Sequence, residues 1–259
     1  MPSSSQLSDK AALFTFLLRM GDNTLILGHR ISEWCGHGPV IEEDIALANT
    51  ALDLIGQTQM WLGLAAEIED QGRSADDLAF LRDVMDFKNL LLVELPNGDF
   101  GRTLLRQFLF DAWHSLQLRH LKASSHVRIA EVAEKAHKEV RYHLERSSDL
   151  VIGLGDGTEE SHANMQAALT FLHPYIGEMF EVDAVDEHLA ASGIAPLPSA
   201  LRPDFDALLE ATMHEATLDL PDSSFSHKGG RTAFRHTEHL GHLLTQMQWL
   251  QRAYPGATW

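Results

Sequence analysis

The sequence IEEDIALANTALDLIGQTQMWLGLAAEIE, residues 41–69, decides the fold of this chain. At helical spacing, its middle is apolar on nearly every side. The apolar residues are Ile45, Ala46, Leu47, Ala48, Ala51, Leu52, Leu54 and Ile55. A helix of this kind belongs in the centre of a bundle or beneath a partner. We therefore predict one long helix over 41–69 that is either central in the bundle or covered by a partner.

Three polar residues interrupt the apolar middle of this helix. Asn49, Asp53 and Gln57 are spaced at i, i+4 and i+8, so they lie along one narrow line on the helix surface. Polar side chains that become buried need hydrogen-bond partners. The pattern therefore predicts that other helices supply hydrogen-bond partners to these three side chains.

On either side of this helix, the pattern remains helical. Two glycines and a proline between Gly36 and Pro39 end a first long helix over 13–33. Two more long helices are predicted over 102–123 and 128–152, and the glycines of 153–157 end the second. Shorter helices are predicted over 75–85, 161–173, 183–191, 203–217 and 237–254. The apolar run 90–93 has no second strand to pair with and is interpreted as a packed connection, and the loop 221–230 is expected to be exposed.

Long helices joined by a few residues pack antiparallel. The predicted fold class is therefore all-α, a ferritin-like helical bundle with additional C-terminal helices. No linker or internal repeat marks a boundary. We expect one domain over residues 1–259, with a core bundle over about 13–153 and a helical extension over about 160–259.

The charge of the chain excludes some partners. The sequence has 37 acidic against 20 basic residues, a formal charge of −17, which repels phosphate backbones and anionic lipid surfaces. Cys35 is the one cysteine, so no internal disulfide can form. The first ten residues lack the pattern of a secretory signal, and no apolar run reaches the roughly 20 residues that span a bilayer. We expect a cytoplasmic protein that binds neither nucleic acid nor membrane.

Antiparallel helices and 15 histidines call for a test of di-iron ligation. A di-iron carboxylate site takes one carboxylate from each of two helices and Glu-x-x-His from each of two others. The chain has three acid-x-x-His pairs, which are Asp111/His114, Glu134/His137 and Glu159/His162. The helix over 41–69 contains no histidine. Because that helix must supply one pair, the sequence argues against a working di-iron site.

Each of these pairs also has an ordinary structural interpretation. Glu134 stands among lysines on a solvated face, and Glu159 at a helix start favoured by the dipole. Asp111 and His114, among aromatic residues, favour a buried hydrogen-bond network. Two further groups are also candidates. His236, Glu238, His239 and His242 allow either a mononuclear metal site or an interface or capping role, and Cys35 with His37 allows a thiol and base or a small residue at a helix end.

Several segments resemble one known family, the structural C subunits of multicomponent phenylacetyl-CoA epoxygenases, which are bacterial ring-1,2 oxygenases. The matching segments are Gly21-Asp22-Asn23, Glu33-Trp34-Cys35-Gly36-His37, Ala46-Leu47-Ala48-Asn49, Asn89 through Asn97-Gly98, Asp111-Ala112-Trp113-His114, Lys138-Glu139-Val140-Arg141-Tyr142-His143-Leu144 and His236-Thr237-Glu238-His239-Leu240-Gly241. They extend towards the C-terminal Trp259, so the resemblance covers nearly the whole chain.

The resemblance also implies where the di-iron ligands of the paralogous catalytic subunit would fall. The helix-one glutamate falls near Thr24, and an Asp-Glu-Ala-Gly-His motif falls on residues 53–57, with Leu54 and Gln57 at its glutamate and histidine. A Lys-Glu-Glu-x-x-His motif falls on 138–143, with Val140 in place of a glutamate. Asp111 and His143 are retained. Two such ligands are too few for two irons.

By resemblance the chain is a non-catalytic subunit that pairs with and supports the di-iron catalytic subunit. Iron is expected in that partner, NADPH and flavin or Fe–S centres in a separate reductase, and no cofactor in this chain. Two sets of residues follow as candidates. Glu33, Asp53, His114 and Glu139 are candidates for a buried polar network, and Asp86, Phe87, Lys88 and Asn89 for an edge contact with phenylacetyl-CoA. Lys88 suits a CoA phosphate as a point charge, or is simply a solvated lysine.

Two rival hypotheses remain open. The first is a stand-alone ferritin-like metalloprotein with an atypical site of Asp111, His114, Glu139 and His143. The second is a homo-oligomeric binding module without an enzyme partner.

Overall fold

The computed structural model describes residues 9–233 and 235–257 and contains helices but no strand among them. Helix α1 spans Asp9–Ser32 and helix α2 spans Ile41–Glu69, and the two pack along their length as an antiparallel hairpin. The break between them is fixed by Gly36, which has a φ of +82°, and by the Gly38 amide, which donates to Asp44 Oδ2 at 2.9 Å. The all-α prediction is confirmed.

Close approach of α1 to α2 depends on two glycines of α1. A β-carbon at position 21 would lie 2.5 Å from the Leu62 side chain, and one at position 28 would lie 3.2 Å from Leu54 Cβ. Because the first distance is shorter than real contacts allow, the side chain of Leu62 occupies the space that glycine leaves open. The hairpin therefore brings the backbone of α1 directly against the side chains of α2.

A second hairpin consists of α5, Phe100–Leu121, and α6, Val127–Gly155. Asp99 caps α5 by accepting the Arg102 amide at 2.8 Å. The chain between the two hairpins forms α3 (Ala75–Phe80), a 3₁₀ helix (Val84–Asp86) and α4 (Leu91–Glu94). The expected helix over 75–85 is therefore two shorter elements, and the packed connection over 90–93 contains one helical turn.

The C-terminal helices pack against the two hairpins. They are α7 (Glu159–Leu172), α8 (Ala184–Ala191), α9 (Arg202–Glu215), α10 (Gly230–Ala233) and α11 (Glu238–Ala253), with 3₁₀ turns at His173–Tyr175, Gly177–Phe180 and Pro198–Leu201. Helix α8 lies on α1, α9 on α5 and α6, and α11 on α3 and α4. Their buried apolar residues belong to the same core as those of the hairpins.

Buried ion pairs fasten the later segments to α1. The Asp22 carboxylate binds the guanidinium of Arg82 and accepts the Lys88 amide at 2.8 Å. Arg19 and Arg231 both bind Asp186, with all three side chains at most 5% exposed. Breaking such a pair costs about 3–5 kcal/mol because it leaves an uncompensated buried charge. These pairs therefore hold distant parts of the chain in one arrangement.

Two expectations need correction. The loop 221–230 is exposed over 222–225, but Gly229 and Gly230 are buried because the Gly229 amide donates to Glu178 inside the protein. Of the two placements expected for helix α2, the central one is wrong, since Ile41, Ile45, Leu52 and Ile55 are 67%, 54%, 66% and 44% exposed. We call these four residues the α2 stripe. No described helix has the length and apolar character needed to cross a membrane.

Candidate functional site

The positions that the resemblance assigns to metal ligands lie where α1, α2, α5 and α6 approach one another. Thr24 on α1 is fully buried, and its Oγ1 lies 2.8 Å from Thr58 Oγ1 on α2. The two hydroxyls also reach main-chain carbonyls of their own helices, at 3.1 Å from Thr24 to Gly21 O and 2.9 Å from Thr58 to Leu54 O. Each hydroxyl has one proton to donate, so at most two of these three contacts are hydrogen bonds at one time, and none of them involves a charged group.

Gln57 of α2 joins α5 to α6. Its Oε1 accepts a hydrogen bond from His114 Nε2 at 3.1 Å, and its Nε2 donates to Glu139 Oε2 at 3.1 Å. A glutamine can fill this position because its amide both accepts and donates. The amide of Gln57 therefore links an imidazole on one helix to a carboxylate on another.

Asp111 of α5 is fully buried with a polar partner at each oxygen. Gln107 Nε2 donates to Oδ1 at 2.8 Å and Ser147 Oγ donates to Oδ2 at 3.2 Å. Burial raises the pKa of Asp111 to about 7, although nearby His143 and these hydrogen bonds act in the opposite direction. With this pKa the carboxyl is partly protonated near neutral pH.

His143 and His114 also have specific partners. His143 Nε2 donates to Asp53 Oδ2 at 3.0 Å, joining α6 to α2. His114 stacks on Phe110, with ring centroids 5.0 Å apart, and burial lowers its pKa to about 3. His114 is consequently a neutral imidazole that acts as a hydrogen-bond donor. Burial also raises the pKa of Glu139, against the hydrogen bond from Gln57.

These residues do not fit a di-iron centre. Leu54 and Val140 are fully buried hydrocarbon side chains, Thr24 binds Thr58, and Gln57 is bound on both sides. Asp111, the retained carboxylate, has both oxygens engaged by Gln107 and Ser147. Within residues 9–233 and 235–257, no three His, Cys, Asp or Glu side chains are grouped to hold a metal ion. At the positions that the resemblance assigns to ligands, Leu54 and Val140 pack in the apolar core, and the polar side chains bind one another or neighbouring residues.

The predicted polar network is only partly buried. His114 is fully buried, whereas the Asp53 side chain is 41% exposed and Glu139 is half-buried. Glu33 does not belong to this group. It lies exposed at the end of α1, where it accepts from Arg30 Nη1 at 3.0 Å and Asn97 Nδ2 at 2.9 Å.

The other sequence candidates have structural partners. Glu134 is exposed and pairs with Lys122 and Lys138, and His162 lies 2.8 Å from the Gly155 carbonyl at the end of α6. His236 is separated from the exposed Glu238 and His242, because its ring is buried between Glu94 and the Phe87 carbonyl. The His236 pair with Glu94 therefore has a structural role in place of the suggested metal site.

The segment predicted to contact an acyl-CoA divides into two kinds of residue. Phe87 and Asn89 are fully buried, and Asn89 Nδ2 donates to Glu94 Oε2 at 2.9 Å. Asp86 is exposed and Lys88 is half-buried, with burial lowering the pKa of the Lys88 amine despite the nearby Asp22. In this arrangement Asp86 and Lys88 are the two members of the segment that a ligand can reach.

Sequence reasoning missed three residues of the site: Gln107, Ser147 and Thr58. Gln107 and Ser147 lie four positions from Asp111 and His143, so helical spacing alone places each on the same face as a predicted residue. Thr58 likewise lies four positions from Leu54, whose carbonyl accepts its hydroxyl at 2.9 Å. Helical spacing of four around each candidate therefore identifies all three.

The fold and this site define a class of protein: a ferritin-like helical bundle with interhelical hydrogen bonds at the positions that the resemblance assigns to di-iron ligands. Residues 2–259 match the family described as "Phenylacetic acid catabolic protein". A similar protein is the C component of the 1,2-phenylacetyl-CoA epoxidase of Escherichia coli (strain K12), 45% identical over 247 residues that cover 95% of this chain and 99% of that protein. The chain belongs to the phenylacetic acid catabolic protein family.

Proposed function

We propose that this chain is the non-catalytic structural subunit of an oxygenase that epoxidises the ring of phenylacetyl-CoA, and that it pairs with the di-iron catalytic subunit. The name of the relative from Escherichia coli supports the enzyme and the reaction. The observation that carries the non-catalytic role is the double engagement of Gln57, by His114 and Glu139, at a position where a di-iron subunit needs a histidine. Iron then belongs to the partner, and the electrons come from NADPH through a separate flavin or Fe–S reductase in the cytoplasm.

The α2 stripe supports pairing with another subunit. Its four residues recur at i, i+4, i+11 and i+14, so they lie on one face of α2 and form an apolar row. Full burial of a leucine or isoleucine is worth about 1.5–3 kcal/mol, and roughly half of each side chain is still exposed. Covering the stripe would therefore contribute about 3–7 kcal/mol before the costs of association. We expect the catalytic subunit to cover it.

The test of pairing is Leu52→Asp in the full chain, coexpressed with the catalytic subunit. Leu52 is 66% exposed, so the variant should fold normally, while the new carboxylate would be buried without a partner in the complex. We expect binding at least about tenfold weaker by titration calorimetry. Val127→Asp is the matched control, since Val127 on α6 is 68% exposed. Unchanged affinity of Leu52→Asp would refute the proposed surface.

Metal analysis tests the non-catalytic role separately. The purified chain is expected to lack stoichiometric iron and oxygen-dependent turnover, and the complex to have both. Iron at one or two equivalents with turnover by the chain alone would overturn the proposal. The rival metal site finds no support in the geometry, because His114 and Glu139 are both engaged by Gln57 and His143 is engaged by Asp53.

An edge contact with phenylacetyl-CoA would involve Lys88 and Asp86. Lys88→Ala in the assembled complex is expected to raise KM for the acyl-CoA and leave kcat unchanged, because a charge that only binds a phosphate acts equally in ground and transition states. An unchanged KM would remove Lys88 from the substrate path.

A further inference from the structure

A second exposed apolar surface lies where α11 crosses α3 and the 3₁₀ helix Val84–Asp86. Two polar side chains of α11 hold it there. Gln248 Nε2 donates to the carbonyls of Ala79 and Arg82 at 3.1 and 2.9 Å, and Arg252 Nη2 donates to the Arg82 carbonyl at 2.8 Å. These contacts fix which face of α11 is packed and which face remains outside.

Two adjoining grooves follow this crossing. One, of about 430 Å³, runs along α11 from Gly241 to Ala253, and the other, of about 560 Å³, continues past Arg252 to Ala257. Arg252 lines both, so they meet at that residue. At a rise of about 1.5 Å per residue, the part beside α11 is about 18 Å long, which matches a helix of three to four turns. We call the two together the α11 groove.

Large apolar side chains stand exposed around the α11 groove. Leu81, Trp249 and Tyr254 line it and are 53%, 60% and 55% exposed, and Met85 of the adjoining 3₁₀ helix is 60% exposed. The rings of Trp249 and Tyr254 meet edge to face with centroids 6.2 Å apart. Aromatic residues and methionine are enriched in protein interfaces, where tryptophan and tyrosine contribute much of the binding energy. An apolar group of this composition indicates a protein partner.

Charge narrows the choice of partner. The carboxylates of Asp76, Asp77 and Asp83 line the α11 groove, and Arg252 is the one basic residue among its lining residues in the described part of the chain. Arg252 is itself paired with Asp83 at 2.9 Å. A second copy of this chain, with a formal charge of −17, is repelled, as are nucleic acid and anionic lipid. A basic segment is the complementary occupant.

We propose that the α11 groove binds an amphipathic helix of net positive charge from a different protein, with its apolar face on Trp249, Tyr254 and Leu81 and its basic residues towards Asp76 and Asp83. This surface is distinct from the α2 stripe. Helix α3 follows the C-terminal end of α2, at Glu69, whereas the stripe ends at Ile55, about 21 Å earlier along the helix. The proposal therefore holds whether or not the stripe binds a catalytic subunit.

The test uses the full chain and two labelled 18-residue helical peptides with the same leucine pattern, one with lysines and one with glutamates at the polar positions. Fluorescence anisotropy at 50 and 150 mM salt should show binding of the lysine peptide, weakened by salt, and at least about tenfold weaker binding of the glutamate peptide. Trp249→Ala and Asp76→Lys should each reduce affinity for the lysine peptide about tenfold. Tyr142→Ala and Asp149→Lys, at exposed positions on α6, are the matched controls and should change it little.

Equal binding of both peptides, full affinity of Trp249→Ala, or equal losses from Asp76→Lys and Asp149→Lys would overturn the proposal. A photoreactive phenylalanine analogue at position 249 of the full chain extends the test to living cells. A crosslink to a basic amphipathic segment of another protein supports the proposal. A crosslink to an acidic segment or to a second copy of this chain, or none, refutes it.

Discussion

Replacement of His236 by alanine should destabilise the protein strongly, although this residue lies outside the positions that the resemblance assigns to di-iron ligands. Its ring is 1% exposed, with Nδ1 2.8 Å from Glu94 Oε2 and Nε2 3.1 Å from the Phe87 carbonyl. Both neighbours are acceptors, so both ring nitrogens donate and the imidazole is protonated. His236 is therefore the buried cation that balances the charge of Glu94.

The size of the effect follows from what remains after the substitution. Glu94 is fully buried and would keep hydrogen bonds from Asn89 Nδ2 at 2.9 Å and from the Thr237 amide at 2.5 Å, but it would lose its counter-ion. Removing one partner of a buried pair costs about 3–5 kcal/mol. We expect His236→Ala to lower the free energy of unfolding by that amount and Glu94→Gln to suppress part of the loss.

The loss should depend on pH in a defined direction. Burial by itself lowers the pKa of His236, but the hydrogen bond and charge of Glu94, with the Phe87 carbonyl and Glu178, outweigh it and raise the pKa above 6.5. Because the folded pKa exceeds the unfolded one, the stabilisation is complete below about pH 6.5 and is lost as the pH rises through the folded pKa. The difference between wild type and His236→Ala should therefore shrink at alkaline pH.

Urea unfolding of the wild type and variants between pH 6 and 9 measures these differences. His242→Ala is the matched control, because His242 is an exposed histidine of α11. A loss below about 1 kcal/mol for His236→Ala at pH 6, or one that grows with pH, would refute the assignment of a protonated imidazole.

Three further predictions concern the interior. Val140→Glu places a carboxylate at a fully buried position, so it should lower the free energy of unfolding in urea by about 3 kcal/mol or more. Metal analysis of this variant should still find no stoichiometric iron, because Thr24, Leu54 and Gln57 remain at the other positions. Burial raises the pKa of Asp111 from its ordinary value of 3.8 to about 7 in the folded protein. The free energy of unfolding of the wild type should therefore fall by about 2–4 kcal/mol between pH 4 and 8 relative to that of Asp111→Asn. Parallel pH profiles of the two free energies would contradict this. Gly21→Ala should lower the free energy of unfolding by about 1–3 kcal/mol, because its β-carbon would lie 2.5 Å from the Leu62 side chain. Gly63 has open space around it, so Gly63→Ala should raise the free energy of unfolding in urea by about 0.5–1 kcal/mol.

The long helices were predictable because their signals are local. Helix α2 begins at Ile41 and ends at Glu69 as predicted, since the glycines and proline before it stop one helix and the apolar pattern sets the length of the next. The element over 75–85 was predicted less well. Asp83 starts a separate 3₁₀ turn there, with its amide bound to Asp86 Oδ2 at 3.0 Å, and a side-chain contact of this kind leaves little periodic signal.

The candidate site was predictable in part for the same reason. Helical spacing places Asp111 near Gln107, and family resemblance identifies Thr24, Leu54, Gln57 and Val140 as substitutions at ligand positions. The pairing of Gln57 with both His114 and Glu139 was not predictable, because those partners lie 57 and 82 residues away in sequence. Contacts between residues so far apart in sequence depend on how whole helices pack against one another.

The sequence by itself determined the helical class, the main helix bounds and the absence of Glu-x-x-His from α2, because periodicity, glycine, proline and residue identity act over one or two turns. Only the tertiary structure decided which apolar face of α2 stays exposed, and which charged residues of the chain are buried. Glu94 and Glu178 have no local pattern that separates them from surface acids, since a carboxylate is stable inside a protein only where distant segments supply donors. For Glu178 those donors are the amides of Leu91, Gly229 and Arg231, which only the packed fold brings together.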